Sequence, residues 1–176
     1  MATVDSAAIS GRWRIEEHDM DAVRDEHPTW DTLADWHKLA ILRRREPEEA
    51  EETTNTTTKS LDQYRVDDLD PTQSPTALTA SHIALGTDDT SPVATNTSLN
   101  SEEYRESVDA HTDNGDNLKC ETLIGSGEAN GFEYKEAGLV TASSGGTLLN
   151  HSLIKPRVKT SNKSLTVTAI LQFRPA

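Results

Sequence analysis

The stretch SLTVTAILQF, residues 164–173, decides the fold class of this chain of 176 residues. Its apolar positions share one face of an extended strand: Leu165, Val167, Ala169, Leu171 and Phe173. The positions between them form the opposite face: Thr166, Thr168, Ile170 and Gln172. Alternation with a period of two residues is typical of a strand that buries one face. The pattern therefore predicts a strand that carries the C-terminal part of the chain into a β core.

Turn signals upstream of this strand recur at intervals of about 10–15 residues, which is typical of a β-sandwich or barrel. The Asn114–Gly115 pair is of the kind that fills tight hairpin turns, and residues 143–146 predict a second hairpin loop. Short segments with strand patterning lie between the turns, at residues 81–86, 103–112, 117–124, 132–141 and 147–154. We therefore predict an antiparallel β-sandwich domain over residues 76–176.

The N-terminal part of the sequence predicts an anchoring arm, partly extended and partly helical. Segment 1–27 is polar, and its only sizeable anchors are Trp13 and Ile15. We expect this segment to wrap around the fold or to dock. Residues 29–45 predict an amphipathic helix because apolar side chains recur there at helical spacing. The aromatic and aliphatic anchors of this helix are Trp30, Leu33 and Trp36.

The segment between the helix and the β domain predicts a linker. An acidic run, EPEEAEE, passes there into a run of threonines, and this composition is typical of a solvated connection. The predicted organisation is an arm and helix over residues 1–45, a linker over 46–75 and the β-sandwich over 76–176.

Charge is divided unevenly along the chain. The whole chain has 30 acidic and 17 basic residues, a net charge of −13. All 30 acidic residues and 12 of the basic residues lie in residues 1–136, a balance of −18. Residues 137–176, the acid-free segment, hold five basic residues, a balance of +5. We expect the first part to face concentrated brine, where salt screens carboxylates from one another, and the acid-free segment to face neighbouring subunits.

The acidic balance also bears on the class of partner. A net negative field repels nucleic-acid phosphates and anionic lipids, so we expect neither nucleic acid nor a membrane as a partner. No apolar run approaches the roughly 20 residues that cross a bilayer, and the N-terminus lacks the pattern of a secretory signal. The triplet Arg43–Arg45 is basic, but its place before an acidic run favours intramolecular pairing over a nucleic-acid contact.

Residues with catalytic spacing are not found in the sequence. The six histidines form no HExxH motif, and the lone Cys120 excludes an intramolecular disulfide and a CxxC zinc site. Cys120 lies in an alternating segment and predicts a small buried hydrophobe. The glycine-rich stretches 125–131 and 143–146 favour β-turns over phosphate-binding loops. We therefore expect a protein that is not an enzyme and has no cofactor.

Two acidic clusters are weak candidates for structural Mg²⁺ or Ca²⁺, which prefer carboxylate oxygens. Their residues are Asp67, Asp68, Asp70, Asp88 and Asp89. The EF-hand spacing is absent, and solvated loops are the favoured interpretation. Four Asn-x-Ser/Thr sequons also occur, at Asn55, Asn96, Asn150 and Asn162.

Three stretches together resemble one family. SHIALGTDDTSPVATNTSLNSEEYR (81–105) resembles the HIALGTGTTAP…TDTALxxE opening of small virion proteins of tailed bacteriophages and of tailed viruses of halophilic archaea. EANGFEYKEAGLVTASSGGTLLNHSLIKP (128–156) is similar to the EAGLFDASSGGTLLARxxFxP block of that family, and SLTVTAILQF to its LTVTYTLTF strand. The stretches keep the family's order and spacing, and the acidic composition fits the halophilic branch. Departures are Asp88 in place of Gly, Val140 in place of an aromatic, and Asn150 with His151.

The resemblance implies a structural component of a virus particle, assembled in the host cytoplasm and attached to the tail fibre, collar or baseplate. It implies oligomerisation, for which we expect a trimer, and contact with other virion structural proteins. One alternative is a capsid-surface decoration or turret subunit. Another is an adhesin that binds a glycan on the host cell surface, although the β domain offers few aromatic residues for such a platform.

Two groups of residues are expected to form the interfaces of such a subunit. The arm and helix would dock through Trp13, Trp30, Leu33 and Trp36. The acid-free strands would meet a neighbouring subunit through Leu165, Val167 and Phe173.

Overall fold

The computed structural model of the chain describes residues 10–61 and 79–172. Within these residues the elements follow in the order β1 (Ser10–Asp19), α1 (Met20–Glu26), a 3-10 turn (Trp30–Thr32), α2 (Asp35–Leu42), β2 (Glu49–Thr54), β3 (Thr56–Thr57), β4 (His82–Gly86), β5 (Glu102–Ser107), β6 (Ala110–Asp113), β7 (Asn117–Ile124), β8 (Glu133–Val140), β9 (Leu148–Val158) and β10 (Lys163–Gln172). Each helix in these two ranges is too short to span a membrane.

The strands form two antiparallel sheets that pack face to face. In the part of the chain that the structure describes, the first sheet has the order β2-β1-β10-β7-β6 and the second β3-β9-β8-β4-β5. Both sheets contribute to one apolar core, with Trp13, Ile15 and Val167 from the first and Tyr134 and Leu139 from the second. The predicted fold class, mainly β with an antiparallel β-sandwich, is confirmed.

Strand β10 holds the centre of the first sheet, as its alternation predicts for a core strand. It pairs with β1 on one side and with β7 on the other. Leu165, Val167, Ala169 and Leu171 all face the core, and Phe173 lies outside the described residues.

Segment 1–27 differs from the predicted arm, because part of it is a strand inside the sandwich. Its residues Ser10–Asp19 pair with β10 along their whole length, from Ser10 opposite Gln172 to Asp19 opposite Lys163. Trp13 is fully buried in the core. Charged residues on the outer face of this strand hide its period of two from a search for apolar side chains.

The predicted linker also contains strands. Glu49–Thr54 pairs with β1 at the border of the first sheet, and Thr56–Thr57 pairs with β9 in the second. The chain therefore passes from one sheet to the other within residues 49–57. A domain boundary at residue 76 would divide the first sheet, so the arm, linker and β domain predicted from sequence share one sandwich.

The single helix predicted over residues 29–45 is wrong. A 3-10 turn and α2 are separated by Leu33 and Ala34, both of which have extended backbone angles. The break lets Trp30 bury against the outer face of the first sheet, while Trp36 on α2 stays 61% exposed. An isolated helical pattern cannot show this difference, because contact with the sheet creates it.

The two helices cover the outer face of the first sheet with a second apolar cluster. Its buried members are Met20, Val23, Trp30, Leu39, Leu42 and Leu123, the last of which lies on β7. Asp19 begins α1 as its N-cap, since its carboxylate accepts the N–H of Asp21 at 2.9 Å. This cluster fixes the helices on one side of the molecule.

Ion pairs join the two sheets along β2 and β9. Glu51 on β2 pairs with Arg157 on β9 at 2.6 Å, and both side chains are largely buried. Glu51 also accepts the backbone N–H of Lys155 at 2.5 Å, while the Lys155 ammonium pairs with Glu49. The acidic run thus meets the basic residues of the acid-free segment within one chain.

A second group of charges lies where β1 meets the start of β10. Lys163 pairs with the buried Glu17 and with Glu48, the latter at 3.3 Å. The pKa of Lys163 is raised by its hydrogen bond to Glu17, which holds the amine in its charged form.

Replacing Glu51 by Gln should lower the free energy of unfolding by about 3 kcal/mol, because the Arg157 guanidinium would stay buried without a carboxylate. Glu52→Gln is the matched control, since this neighbour has an exposed side chain that lies 3.6 Å from Arg14. The control should change stability by about 0.5 kcal/mol or less. Denaturant unfolding in molar KCl measures both, and equal losses for the two variants would contradict the assigned role of Glu51.

Candidate interaction surface

Most of the residues predicted to form interfaces are buried within the chain itself. Trp13, Leu165 and Val167 are at most 1% exposed and pack in the sandwich core, and Trp30 is 4% exposed beneath the helices. They cannot contact a neighbour while the fold is closed, so their assignment to interfaces is corrected. Of the acid-free strands, β10 pairs with β1 and β9 pairs with β8, so both contact strands of their own chain.

Trp36 is the member of the predicted set that lies open to solvent in the described part of the chain. Its ring contacts the ring of His37, with centroids 3.3 Å apart. Leu33, on the connection before α2, is half-buried. The exposed Trp36 and the half-buried Leu33 place the candidate surface at the helices.

A cleft of about 490 Å³ opens beside these helices and is named here the helix cleft. The residues that line it are Glu26, His27, Leu33, His37, Ala40, Ile41, Arg44 and Arg45. Leu33, Ala40 and Ile41 supply apolar surface to the cleft. Trp36 lies beside the cleft, because its ring contacts the ring of the lining residue His37. Apolar side chains inside a polar rim are the usual composition of a protein contact.

The rim of the helix cleft is more basic than the rest of the molecule. Arg45 pairs with Glu26, while no partner is seen for the exposed Arg44 among the described residues. On a chain with a net charge of −13, such a rim attracts acidic surfaces. An apolar segment flanked by carboxylates is the chemistry that fits it.

Two members of the triplet that follows α2, Arg43 and Arg45, pair within the chain, as the sequence favours. Arg43 donates to Glu121 at 2.5 Å, and Lys119 lies 2.8 Å from the same carboxylate. Glu121 is only 2% exposed, so it requires these two cations.

A buried polar network lies on the other side of the molecule, under residues 87–101. Glu136 on β8 and His151 on β9 are 2.7 Å apart, and both side chains are 0% exposed. The Glu136 carboxylate also accepts the backbone N–H groups of Ser101 at 2.7 Å and Asn100 at 3.1 Å. A Cβ at Gly86 would overlap this carboxylate, so the position requires glycine. The network holds the loop before β5 against the second sheet.

This network could not be recognised from sequence spacing. Glu136 and His151 stand on adjacent strands, and the register that places Gly138 opposite His151 brings the carboxylate and imidazole together. A Glu followed by a distant His carries no motif. An acid buried in an otherwise apolar strand, EAGLV, is the one local signal.

Of the two proposed cation sites, the structure describes the one formed by Asp88 and Asp89, and both carboxylates contact groups of the chain itself. Asp88 accepts hydrogen bonds from Thr90 at 2.7 Å and from Asn100 at 3.2 Å, and these bonds lower its pKa. Asp89 lies 3.9 Å from Lys135. Across residues 10–61 and 79–172 no cluster of three or more potential metal ligands is found. Asp67, Asp68 and Asp70 lie outside these ranges, so the expectation for Mg²⁺ or Ca²⁺ stays a prediction.

Burial decides the role of Cys120 and whether the sequon at Asn150 can be glycosylated. Cys120 is fully buried and free, and burial raises the pKa of its thiol to about 12, so it is the inert small hydrophobe predicted. Asn150 is also fully buried, which excludes its glycosylation in the folded chain.

Comparison with family models, curated proteins and solved structures finds no match for this chain.

The network of Glu136, His151, Ser101 and Asn100 is named the loop anchor, and acid should weaken it by protonating Glu136. Burial alone would raise the pKa of this carboxyl, but the hydrogen bonds from His151, Ser101 and Asn100 hold it below its ordinary value of 4.5. Its stabilising contribution is therefore complete above pH 4.5 and is lost as the pH falls through the lowered folded-state pKa.

The measurement is the difference in unfolding free energy between the native chain and Glu136→Gln, followed from pH 7 down to pH 3. We expect about 3 kcal/mol at neutral pH, decreasing only below the ordinary carboxyl range. A difference that stays constant over the whole range would contradict this role of the carboxylate.

Proposed function

We propose that this chain is a structural component of a tailed virus particle of the halophilic type, associated with the tail, baseplate or fibre. It acts by assembly: copies of the chain associate through the helix cleft, and the resulting oligomer contacts other virion proteins. The observation that carries the proposal is the exposed Trp36 beside an apolar cleft on a chain with a net charge of −13.

The family resemblance supports this proposal through its position in the fold. Stretch 81–105 includes β4 and the first part of β5, and stretch 128–156 includes β8 and most of β9. These four strands are neighbours in the second sheet. These two stretches therefore fall on one continuous sheet, which also holds Glu136 and His151, while the third stretch forms β10 of the first sheet.

Assembly is favoured over catalysis by the surroundings of the best acid–base pair. Glu136 and His151 have a hydrogen-bond distance suited to proton transfer, but residues 87–101 close the pair off from solvent. A substrate has no path to either group in this conformation, so the pair supports the fold and the surface.

The helix cleft should govern self-association. Light scattering of the purified chain in molar KCl should show a closed multimer, and Trp36→Ala should shift it at least about tenfold toward monomer, as loss of a central aromatic contact does. Stability should stay within about 0.5 kcal/mol because Trp36 is exposed. Phe132→Ala, at an aromatic residue 42% exposed, is the matched control and should leave the multimer intact. A monomeric native chain would overturn assembly through this cleft.

The place of the chain in a particle is tested by antibody labelling of intact virions in their native salt. The proposal predicts gold label at the tail or baseplate. Label over the head surface would instead favour the capsid-decoration alternative, and absence of the chain from purified virions would overturn the virion role.

A further inference from the structure

We infer that Lys159 and Asn130 form an intramolecular isopeptide bond that staples two loops of the sandwich. Lys159 follows β9, and Asn130 lies in the loop between β7 and β8. The inference is independent of the proposed virion role, because it concerns only side chains within one folded chain.

The Lys159 amine is buried in surroundings that do not favour its charge. The residue is 1% exposed, and its Nζ donates to Asn130 Oδ1 at 3.2 Å and to the backbone oxygen of Thr160 at 3.4 Å. Among the described residues no carboxylate lies within 4.0 Å of this amine, in contrast to Lys155 and Lys163. A buried ammonium without a carboxylate is costly, and an amide at the same place would remove that cost.

The electrophile is the side-chain carbonyl carbon of Asn130, and hydrogen bonds at both polar atoms of this side chain hold it in place. The Asn130 Nδ2 donates to the Ser126 oxygen at 2.9 Å, while its Oδ1 receives the Lys159 amine. The residue before it, Ala129, has a positive φ of 54°, and the buried Tyr134 hydroxyl donates to its oxygen at 2.9 Å. Fixing both reactants at contact distance replaces a bimolecular encounter by an intramolecular one.

The backbone on the other side of Asn130 disfavours the competing reaction. In an Asn–Gly sequence the following nitrogen can attack the side-chain carbonyl and form a succinimide. Here the Gly131 N–H donates to the Lys159 oxygen at 3.1 Å, which directs that nitrogen away from Asn130. The same hydrogen bond draws the Lys159 main chain against the loop.

The reaction is balanced without any external reagent. The neutral Lys159 Nζ attacks Cγ of Asn130, a C–N bond forms, and the bond from Cγ to Nδ2 breaks. One amine proton passes to Nδ2, which leaves as ammonia, and a secondary amide remains. Burial lowers the pKa of Lys159 to about 8, although Glu128 and Glu17 oppose the shift, so a useful fraction of the amine is neutral near that pH.

Intact-mass spectrometry of the folded full-length chain tests the inference. The expected mass is about 17 Da below the sum of the residues, the mass of the ammonia lost. Trypsin should then yield a branched peptide that joins residues 120–135 to residues 158–163, uncleaved at Lys159. Bond formation in freshly refolded protein should accelerate from pH 6 to about pH 8 and then level off.

Variants distinguish the isopeptide bond from succinimide formation, which also releases ammonia. Asn130→Ala and, separately, Lys159→Met should each restore the full mass and free the two peptides. Asn114→Ala is the matched control: it removes the other Asn–Gly pair, lies in an exposed turn, and should keep the staple. A chain of full mass with Lys159 cleaved by trypsin, or a lighter 120–135 peptide that is not joined to 158–163, would overturn the inference.

Discussion

The pairing of N-terminal carboxylates with C-terminal cations is the interaction on which the rest of this structure depends. Glu51 with Arg157, and Glu49 with Lys155, connect a border strand of the first sheet to β9 of the second. β1 lies between this border strand and β10, so the same contacts hold the N-terminal segment in the sandwich. Its position in turn places α1 and α2, and with them the helix cleft, on the outer face of the first sheet.

This pairing gives the division of charge a physical meaning. The acid-free segment has a charge balance of +5, so its buried cations require carboxylates from elsewhere. Residues 48–51 of the same chain supply several of these carboxylates. In molar salt the Debye length is about 3 Å, so exposed carboxylates repel one another weakly, while buried contacts such as Glu51 with Arg157 keep their attraction. Exposed carboxylates such as Glu52 and Asp89 can therefore cover the outside of the molecule.

Sequence patterns predicted the fold correctly where a single strand alternates apolar and polar residues along its length. β10 alternates apolar and polar residues, and the hairpin residues mark its neighbours. β1 was missed because its outward residues are charged and only Trp13 and Ile15 are apolar anchors. The contrast between buried Trp30 and exposed Trp36, like the contact of Glu136 with His151, arises from packing between distant segments. No local pattern contains that information, so the candidate surface required the structure.

We infer that the acidic and acid-free parts of this sequence pair within one chain and not between subunits. A water-soluble carbodiimide, applied to an equal mixture of isotope-labelled and unlabelled chains, tests it by converting touching carboxylate–amine pairs into amides. We expect cross-links of Glu49 to Lys155 and of Glu17 to Lys163 in which both residues carry the same isotope. Cross-links at these positions that join labelled to unlabelled residues, or that occur only in oligomers, would contradict it.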